Sequence, residues 1–294
     1  MGAGGMLLQL LTSGLSEGSI YALVALGMTV LFRATTVVDF GHGELFMGGA
    51  FATYVFVHVA GLPFAAAAVA AVVVMFLVGM AIERLLIRPM GDASHTAVAM
   101  MTVAFSFLFK GLARWFNGGD VLAMPPIFSY PPLEIGAVVL TVQDLLITAS
   151  TTVLVLLFLM LFRYSRIGRM GRAAASSPRG AILVGINLPA LSGSIWGVSA
   201  ALGGIAGILV APVSMIFPDM GGNVLLPAFA AMTLGGFGHF GGAILGGLLV
   251  GVLQQIAGGY ISSTVIGIFP YLVIVGALFL FPAGLFGTRE TFRV

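Results

Sequence analysis

Apolar stretches of about twenty residues recur along this chain, and they constrain its fold more than any other feature. A helix of that length crosses the hydrocarbon core of a bilayer, because each residue adds about 1.5 Å and the core is about 30 Å thick. Charged residues make up only 7% of the 294 positions, too few to cover a water-soluble surface. The sequence therefore predicts an all-α, polytopic membrane protein with eight or nine transmembrane helices, built as one domain over residues 1–294.

The predicted spans leave no gap long enough for a separate soluble domain. They are Leu7–Phe32, Val37–Val59, Phe64–Ile82, Thr96–Leu112, Leu145–Phe162, Leu191–Ala211, Val224–Gly236, Ala243–Gly259 and Val265–Phe281. The seventh is short and contains Pro227, so it is predicted to be a half-helix or a re-entrant segment buried against other helices. The proline-rich stretch 113–143 is predicted to be an external loop.

Basic residues indicate the orientation in the membrane. No acidic residue occurs between Asp144 and Asp219, whereas five arginines fall between two spans, at Arg163, Arg166, Arg169, Arg172 and Arg179. Cytoplasmic loops carry the excess of basic residues, so residues 163–189 are predicted to be cytoplasmic. Counting crossings then places the amino terminus outside and the carboxyl terminus inside. The first four arginines recur every three residues, so on one helix they would cover about half of its circumference.

Several classes of function are excluded or disfavoured by missing residues. The chain has no cysteine, and its one lysine, Lys110, precedes Gly111, so no P-loop nucleotide site is present. We expect no metal, no cofactor and no nucleic acid on this chain, no enzymatic activity of its own, and ATP hydrolysis only on another subunit. The pattern G-x-G-x-x-G at 236–241 joins two membrane segments and is interpreted as a turn between helices.

A G-x-S-x-G pattern surrounds Ser16 and leaves an intramembrane serine hydrolase as an alternative function. The catalytic base would then be one of the four histidines of the chain, His42, His58, His95 or His239.

Ionisable residues inside apolar spans mark pathways, because a charge at membrane depth is costly unless it meets water or a partner. Candidates for a translocation pathway are Glu17, Tyr21, His42, Glu44, Thr102 and Ser106. Asp39 is instead expected at the cytoplasmic interface, solvated, with Asp39 or Glu44 capping the second span. An ion-coupled secondary transporter that uses Glu17, Asp39 and Glu44 is the alternative from another class.

Glycines at four-residue spacing predict close helix packing rather than ligand binding. The pairs are Gly14/Gly18, Gly203/Gly207, Gly238/Gly242, Gly242/Gly246 and Gly247/Gly251.

Five segments together resemble the LivH-type permease subunits of branched-chain amino acid ABC importers. They are GSIYALVALGMTVLF (18–32), DFGHGELFMGGA (39–50), RPMGDA (88–93), GRMGRAAASSPRGAILVGIN (168–187) and LGGFGHFGGAILGG (234–247). The resemblance implies an ABC importer permease fold in the bacterial inner membrane and half of a pathway for branched-chain or other hydrophobic amino acids. It also implies a homologous LivM-type permease, two cytoplasmic ATPases that bind ATP-Mg, and a periplasmic substrate-binding protein.

The basic loop is expected to dock into a partner's groove, and the resemblance identifies it as the loop that couples to the ATPase. The residues implied are Gly168, Arg169, Arg172, Ala173, Pro178, Arg179, Ala181, Gly185, Ile186 and Asn187. The family usually has Asn-Phe-Ala where this chain has Asp39-Phe40-Gly41, which leaves related importers of urea, amides or aromatic amino acids as alternatives.

Overall fold

The computed structural model describes residues 3–91, 93–125, 131–135 and 138–287, and these are helical apart from loops and one hairpin. The eleven α-helices of this part are α1 (Ala3–Thr35), α2 (His42–His58), α3 (Phe64–Ile82), α4 (His95–Asn117), α5 (Val142–Tyr164), α6 (Arg166–Ser176), α7 (Pro178–Leu183), α8 (Leu188–Val210), α9 (Gly222–Gly235), α10 (Phe240–Tyr260) and α11 (Ser263–Leu280). A π-helical turn, Glu83–Ile87, and a 3₁₀ turn, Arg88–Met90, continue α3. Strands β1 (Leu133–Ile135) and β2 (Val138–Leu140) pair antiparallel.

Each predicted span corresponds to one helix, and the all-α, polytopic fold is confirmed. Seven helices in the described part of the chain are long and apolar enough to cross a membrane, namely α1, α3 with its continuation, α4, α5, α8, α10 and α11. With 17 residues, α2 is slightly shorter, and α9 has 14, the length of the half-helix that the sequence predicted for its segment. The loop predicted over 113–143 is shorter in the structure, because α4 continues to Asn117 and α5 begins at Val142.

The long helix α1 forms the centre of the molecule, and α10 crosses it at glycines. A Cβ atom on Gly14 would lie 2.6 Å from the Cα of Val252, and one on Gly18 would lie 3.0 Å from the carbonyl oxygen of Gly247. Helices in lipid associate through such backbone contacts because no hydrophobic force joins them there. The predicted packing role of the glycine pairs is confirmed at this crossing.

The second predicted span, Val37–Val59, is helical only from His42 onward. Thr36 lies next to His95 at the start of α4, and the Phe40 backbone N–H donates to the Thr102 hydroxyl at 3.1 Å, so this extended segment runs along α4. Non-helical backbone is tolerated at membrane depth only where protein supplies its partners. Here Thr102 supplies one of them, and α2 therefore begins inside the bundle.

The expected solvation of Asp39 at the membrane surface is wrong, because the late start of α2 carries this side chain into the protein interior. Asp39 is only 2% exposed. One of its carboxylate oxygens accepts from the Gly41 N–H at 2.9 Å, and the other lies 3.3 Å from Nδ1 of His42. The carboxylate thus finds its partners in the loop that interrupts the span.

The arginine-rich loop contains a helix break that the arginine spacing did not reveal. Ser165 lies between α5 and α6 and accepts the Gly168 N–H, so the two helices meet at an angle there. Arg163 therefore belongs to α5, and the three following arginines belong to α6. The four arginines therefore do not share one helix, because a capping serine outweighs the helical periodicity on either side of it.

Two ends of the bundle are distinguished by their contacts. At the first, called the arginine end, the guanidinium of Arg33 lies 4.9 Å from the ring centre of Phe240, and that ring contacts Phe162 at the end of α5. The segment after α11 also reaches this end, where the Leu285 N–H donates to the Leu234 carbonyl. At the opposite end, called the hairpin end, Gln9 of α1 pairs with the backbone of Val139 in β2.

Candidate functional site

A cavity of about 610 Å³ opens between α1, α5, α9, α10 and α11 in the half of the bundle toward the hairpin end. Its lining combines aliphatic side chains with a few polar ones, the composition of small-molecule sites. The polar lining residues are Ser16, Glu17, Tyr21, Asp144, Ser214, Asn223, Gln254 and Tyr271. The aliphatic ones are Ile20, Ile147, Val210, Val213, Val224, Leu226 and Ile266.

Two of the predicted pathway residues, Glu17 and Tyr21, line this cavity together. They are one helical turn apart on α1, and the Tyr21 hydroxyl donates to Oε2 of Glu17 at 3.3 Å. On α5, Asp144 accepts the Ser16 hydroxyl at 2.9 Å. Hydroxyl donors therefore hold two carboxylates at one side of the cavity.

Gln254 is a cavity residue that sequence reasoning missed. Pro270 has no N–H to donate to the Ile266 carbonyl one turn earlier, and the Gln254 side-chain amide donates to that carbonyl at 2.9 Å. This bond fixes the amide orientation, because only the nitrogen of Gln254 can donate. Its Oε1 has no hydrogen-bond partner among the described residues, and the side chain is only 4% exposed. A proline inside one apolar span and an amide in the preceding one are the sequence signal that indicates such a contact.

Asp144 and Asn223 were also missed as cavity residues, because each lies near the start of a helix, where a polar side chain is expected for capping. Asn223 lies in the first turn of α9, which begins at Gly222 with no side chain capping it. The Gly222 and Val224 N–H groups donate to the carbonyls of Asp219 and Gly221 at 3.1 and 3.2 Å, whereas the Asn223 N–H has no backbone acceptor among the described residues.

The other four predicted pathway residues, His42, Glu44, Thr102 and Ser106, lie outside this cavity. Glu44, Thr102 and Ser106 lie between α2 and α4 and are called the α2–α4 cluster, whereas His42 faces α1 and α8. Glu44 is 1% exposed; its Oε1 accepts from Ser106 at 3.1 Å and pairs with Lys110 at 3.3 Å. Since Ser106 is at the middle of α4, this ion pair lies well inside the bundle.

Lys110 also reaches toward Asp219, at 3.8 Å, and Asp219 pairs with Arg114 at 2.6 Å. The ion pairs thus continue from α2 through α4 to the loop that precedes α9. His42 is fully buried against two glycines: a Cβ on Gly27 would lie 2.7 Å from its Nε2, and a Cβ on Gly203 would lie 3.0 Å from the same atom. These contacts pack α2 against α1 and α8.

The intramembrane hydrolase alternative is wrong. The partner of Ser16 is the carboxylate of Asp144, and no histidine of the described residues lines the cavity. His42 is buried against Gly27 and Gly203, and His58 stacks on Tyr54. His239 caps α10 and stacks on Phe286. The G-x-G-x-x-G pattern at 236–241 forms the turn before this cap, with positive φ at its first two glycines, as predicted.

At the arginine end, two of the predicted coupling residues brace α6 against the end of α5. Arg172 donates to the carbonyls of Phe162 and Arg163 at 2.7 and 3.1 Å, and Arg169 donates to that of Tyr164 at 2.8 Å. The last carbonyls of a helix have no partner within it, and basic side chains satisfy them. We call residues 162–172 the elbow.

The remaining coupling residues divide by exposure. Gly168 and Ala181 are buried within the chain, Ile186 is half-buried, and Asn187 caps α8 by accepting the Ala190 N–H. Ala173, Pro178, Arg179 and Gly185 are exposed. Beside them the apolar side chains of Leu183 and Val184 are 87% and 75% exposed, and Ile182 is 59% exposed. The end of α7 thus presents a small apolar knob, residues 182–184, on a braced support.

The family described as "Branched-chain amino acid transport system / permease component" matches residues 10–280. The chain belongs to this permease family. It is 27% identical to the high-affinity branched-chain amino acid transport system permease protein LivH of Escherichia coli (strain K12), over 98% of this chain and 97% of that protein. It is also 27% identical to BraD of Pseudomonas aeruginosa, over 98% of each. A probable LivH of Methanocaldococcus jannaschii is 24% identical, over 95% of this chain and 92% of the relative.

Membership in the permease family, together with seven helices able to cross a membrane in the described part, makes the chain a multi-pass inner membrane protein with a role in transport rather than catalysis. Among solved structures, PsaBC from Streptococcus pneumoniae in complex with Fab is similar with a TM-score of 0.46 and 13% identity, over 95% of this chain and 92% of that one.

Proposed function

We propose that this permease is one half of the pathway of an ATP-driven importer for branched-chain or other hydrophobic amino acids. The family match over residues 10–280 carries the proposal. A cavity that combines carboxylates with aliphatic walls supports it, because an amino acid of this class has both a charged and an apolar part. Importers of urea, amides or aromatic amino acids remain alternatives within the family.

The ATPase contact is proposed at the loop 163–189. The elbow fixes α6 to α5 through Arg169 and Arg172, and the apolar knob of α7 has no cover among the described residues. An exposed apolar surface of this kind is typical of a docking site. Two cytoplasmic ATPases would bind ATP-Mg and push on this loop, whereas this chain itself binds no cofactor.

The orientation proposed is that the arginine end faces the cytoplasm. Its basic side chains include Arg33 and the elbow arginines, in agreement with the excess of basic residues in cytoplasmic loops. The amino terminus, next to the hairpin, would then lie outside, where a periplasmic binding protein delivers substrate. The segment 281–287 lies at the arginine end, consistent with a cytoplasmic carboxyl terminus, although Arg289 and Arg293 fall outside the described residues.

Co-expression of this chain with the proposed partner subunits tests the proposal. Purification in mild detergent should recover this chain with a homologous LivM-type permease and an ATPase, identified by mass spectrometry. In proteoliposomes, the complex with its binding protein should take up labelled leucine only with internal ATP. Uptake by this chain alone that an uncoupler abolishes would establish the ion-coupled transporter instead. Uptake of urea or an amide but not of leucine would show that the protein belongs to one of the alternative importers named above.

A further inference from the structure

We propose that the 610 Å³ cavity binds the amino acid as a zwitterion, with the ammonium group held by Glu17 and Gln254 and the carboxylate at the start of α9. The inference rests on the proposed function and assigns the substrate to a defined site on this chain.

The first argument is charge. Glu17 lies near the middle of α1, the longest helix, and its side chain is exposed on the cavity surface. A carboxylate at that depth is too costly to face lipid, so this surface faces water or substrate. The cavity lining contains the carboxylates of Glu17 and Asp144 and, among the described residues, no basic side chain. Such a site selects a cationic group.

The second argument is the unpartnered oxygen of Gln254. The bond from its amide nitrogen to the Ile266 carbonyl leaves Oε1 as a buried acceptor to which none of the described residues donates a hydrogen bond. Buried polar groups without partners are rare because the lost hydrogen bond is costly. A donor is therefore expected from outside the chain, and an ammonium group has three of them.

The third argument concerns the substrate carboxylate. The 14-residue helix α9 begins at the cavity with Gly222 and Asn223, and no side chain caps it. The Asn223 N–H, which has no backbone acceptor among the described residues, and the helix dipole favour an anion there. The aliphatic lining residues, among them Ile20, Ile147 and Val224, remain for an apolar side chain. One cavity thus offers a partner to each part of a hydrophobic amino acid.

The absence of cysteine from the sequence allows a direct test of binding. Ser214→Cys places one thiol on the exposed cavity wall, and Ser263→Cys places one at the exposed start of α11, outside the lining. In the purified permease complex without binding protein, leucine should slow thiol labelling at position 214 and leave position 263 unchanged. Neither 4-methylpentanoate, which lacks the amine, nor 3-methylbutylamine, which lacks the carboxylate, should protect at the same concentration.

Matched variants identify the groups that bind the amine. Glu17→Gln or Gln254→Leu should raise the leucine concentration needed for protection by about tenfold or more, since each removes a hydrogen bond to a charged group. Gln255→Leu, one position along α10 and outside the lining, should leave it unchanged. Equal protection by leucine and either analogue, or no change in the Glu17 and Gln254 variants, would overturn the assignment.

The proposed function has a separate readout. If the complete importer takes up leucine but leucine gives no protection at position 214, the importer function stands and the zwitterion site is wrong. If the complete importer takes up no amino acid, the proposed function fails, and the labelling experiment alone decides what the cavity binds.

Discussion

At the scale of single residues, the stability of this membrane protein depends on backbone contacts that only glycine permits. A Cβ at Gly14 would lie 2.6 Å from the Cα of Val252 in α10, and backbone atoms cannot move aside as a flexible side chain does. Gly276 in α11 is the matched control, because a Cβ there would meet nothing within 4 Å.

We expect Gly14→Ala to lower the free energy of unfolding by about 1–3 kcal/mol, the usual cost of overpacking. Gly276→Ala should be neutral or stabilising by up to about 1 kcal/mol, because alanine is the better helix former. Thermal unfolding of the two variants in the same detergent checks the pair. Equal melting temperatures would contradict the packing role of the α1–α10 crossing.

The ion pair inside the bundle gives a second prediction at this scale. Lys110→Met removes the cation beside buried Glu44 and leaves the carboxylate with the Ser106 hydroxyl as its hydrogen-bond donor among the described residues. A buried group that loses its partner costs about 1–3 kcal/mol. Adding Glu44→Gln should restore most of that loss, which a double-mutant cycle in thermal unfolding measures. A double variant as unstable as the sum of the single ones would show that the two side chains act independently.

At the scale of elements, long apolar stretches were predictable and interruptions were not. Every span was located because burial in lipid requires a long apolar helix. The extended start of the second span depends on the Thr102 hydroxyl, 62 positions from the Phe40 N–H that it accepts, and no local pattern indicates that bond. The break at Ser165 has a local signal, a capping serine, but the strong periodicity of the arginines obscured it.

Prediction of the cavity residues from the sequence was limited in the same way. Glu17 was predicted because it is ionisable and lies inside an apolar span, and Tyr21 because its hydroxyl could line a passage. His42 and Glu44 were grouped with them on the same grounds, yet Glu44 pairs with Lys110 of α4 and His42 packs against α1 and α8. Residue type predicts that a side chain has a polar task; only the packing of helices distant in sequence decides which groups share a site.

The elbow provides a prediction about coupling. Arg172→Gln should remove a charge-assisted bond to the end of α5 and loosen α6, so that ATP hydrolysis continues with less transport. Arg166→Gln is the control, because Arg166 is exposed at the start of α6. The ratio of ATP hydrolysed to leucine transported in proteoliposomes should rise severalfold for the first variant alone. A similar rise in both would indicate that positive charge, not bracing, is what the ATPase requires.

Gly185 tests the same loop through its backbone. Its φ of +83° lies in the left-handed region, whereas a Cβ there would meet nothing within 4 Å. Asparagine adopts this conformation readily and a β-branched residue does not. Gly185→Asn should therefore keep coupling near wild type, and Gly185→Val should impair it in the same assay of hydrolysis and uptake. Equal impairment by both would show that a side chain, and not the backbone angle, disturbs the contact.

At the scale of the whole molecule, the orientation follows from where the helices end. The ends of α1 and α5, the α9–α10 turn and the segment 281–287 meet at the arginine end, so one measured point on each end determines the topology of all of them. When crossings are counted along the sequence, the side of the membrane assigned to the carboxyl terminus depends on whether the seventh predicted span crosses the membrane. The hydrogen bond from the Leu285 N–H to the Leu234 carbonyl places the segment 281–287 beside the end of α9, whether or not α9 crosses the membrane.

We expect Ser176→Cys, exposed at the end of α6, to react with a membrane-impermeant maleimide only after right-side-out vesicles are permeabilised, because basic loops stay in the cytoplasm. Ser263→Cys, exposed at the start of α11, should react in intact vesicles, because Gly259, four residues earlier, packs against Leu10 near the start of α1. The cysteine-free parent gives the background. The reverse labelling pattern would show that the protein has the opposite orientation in the membrane. The apolar knob of α7 would then lie out of reach of any cytoplasmic ATPase.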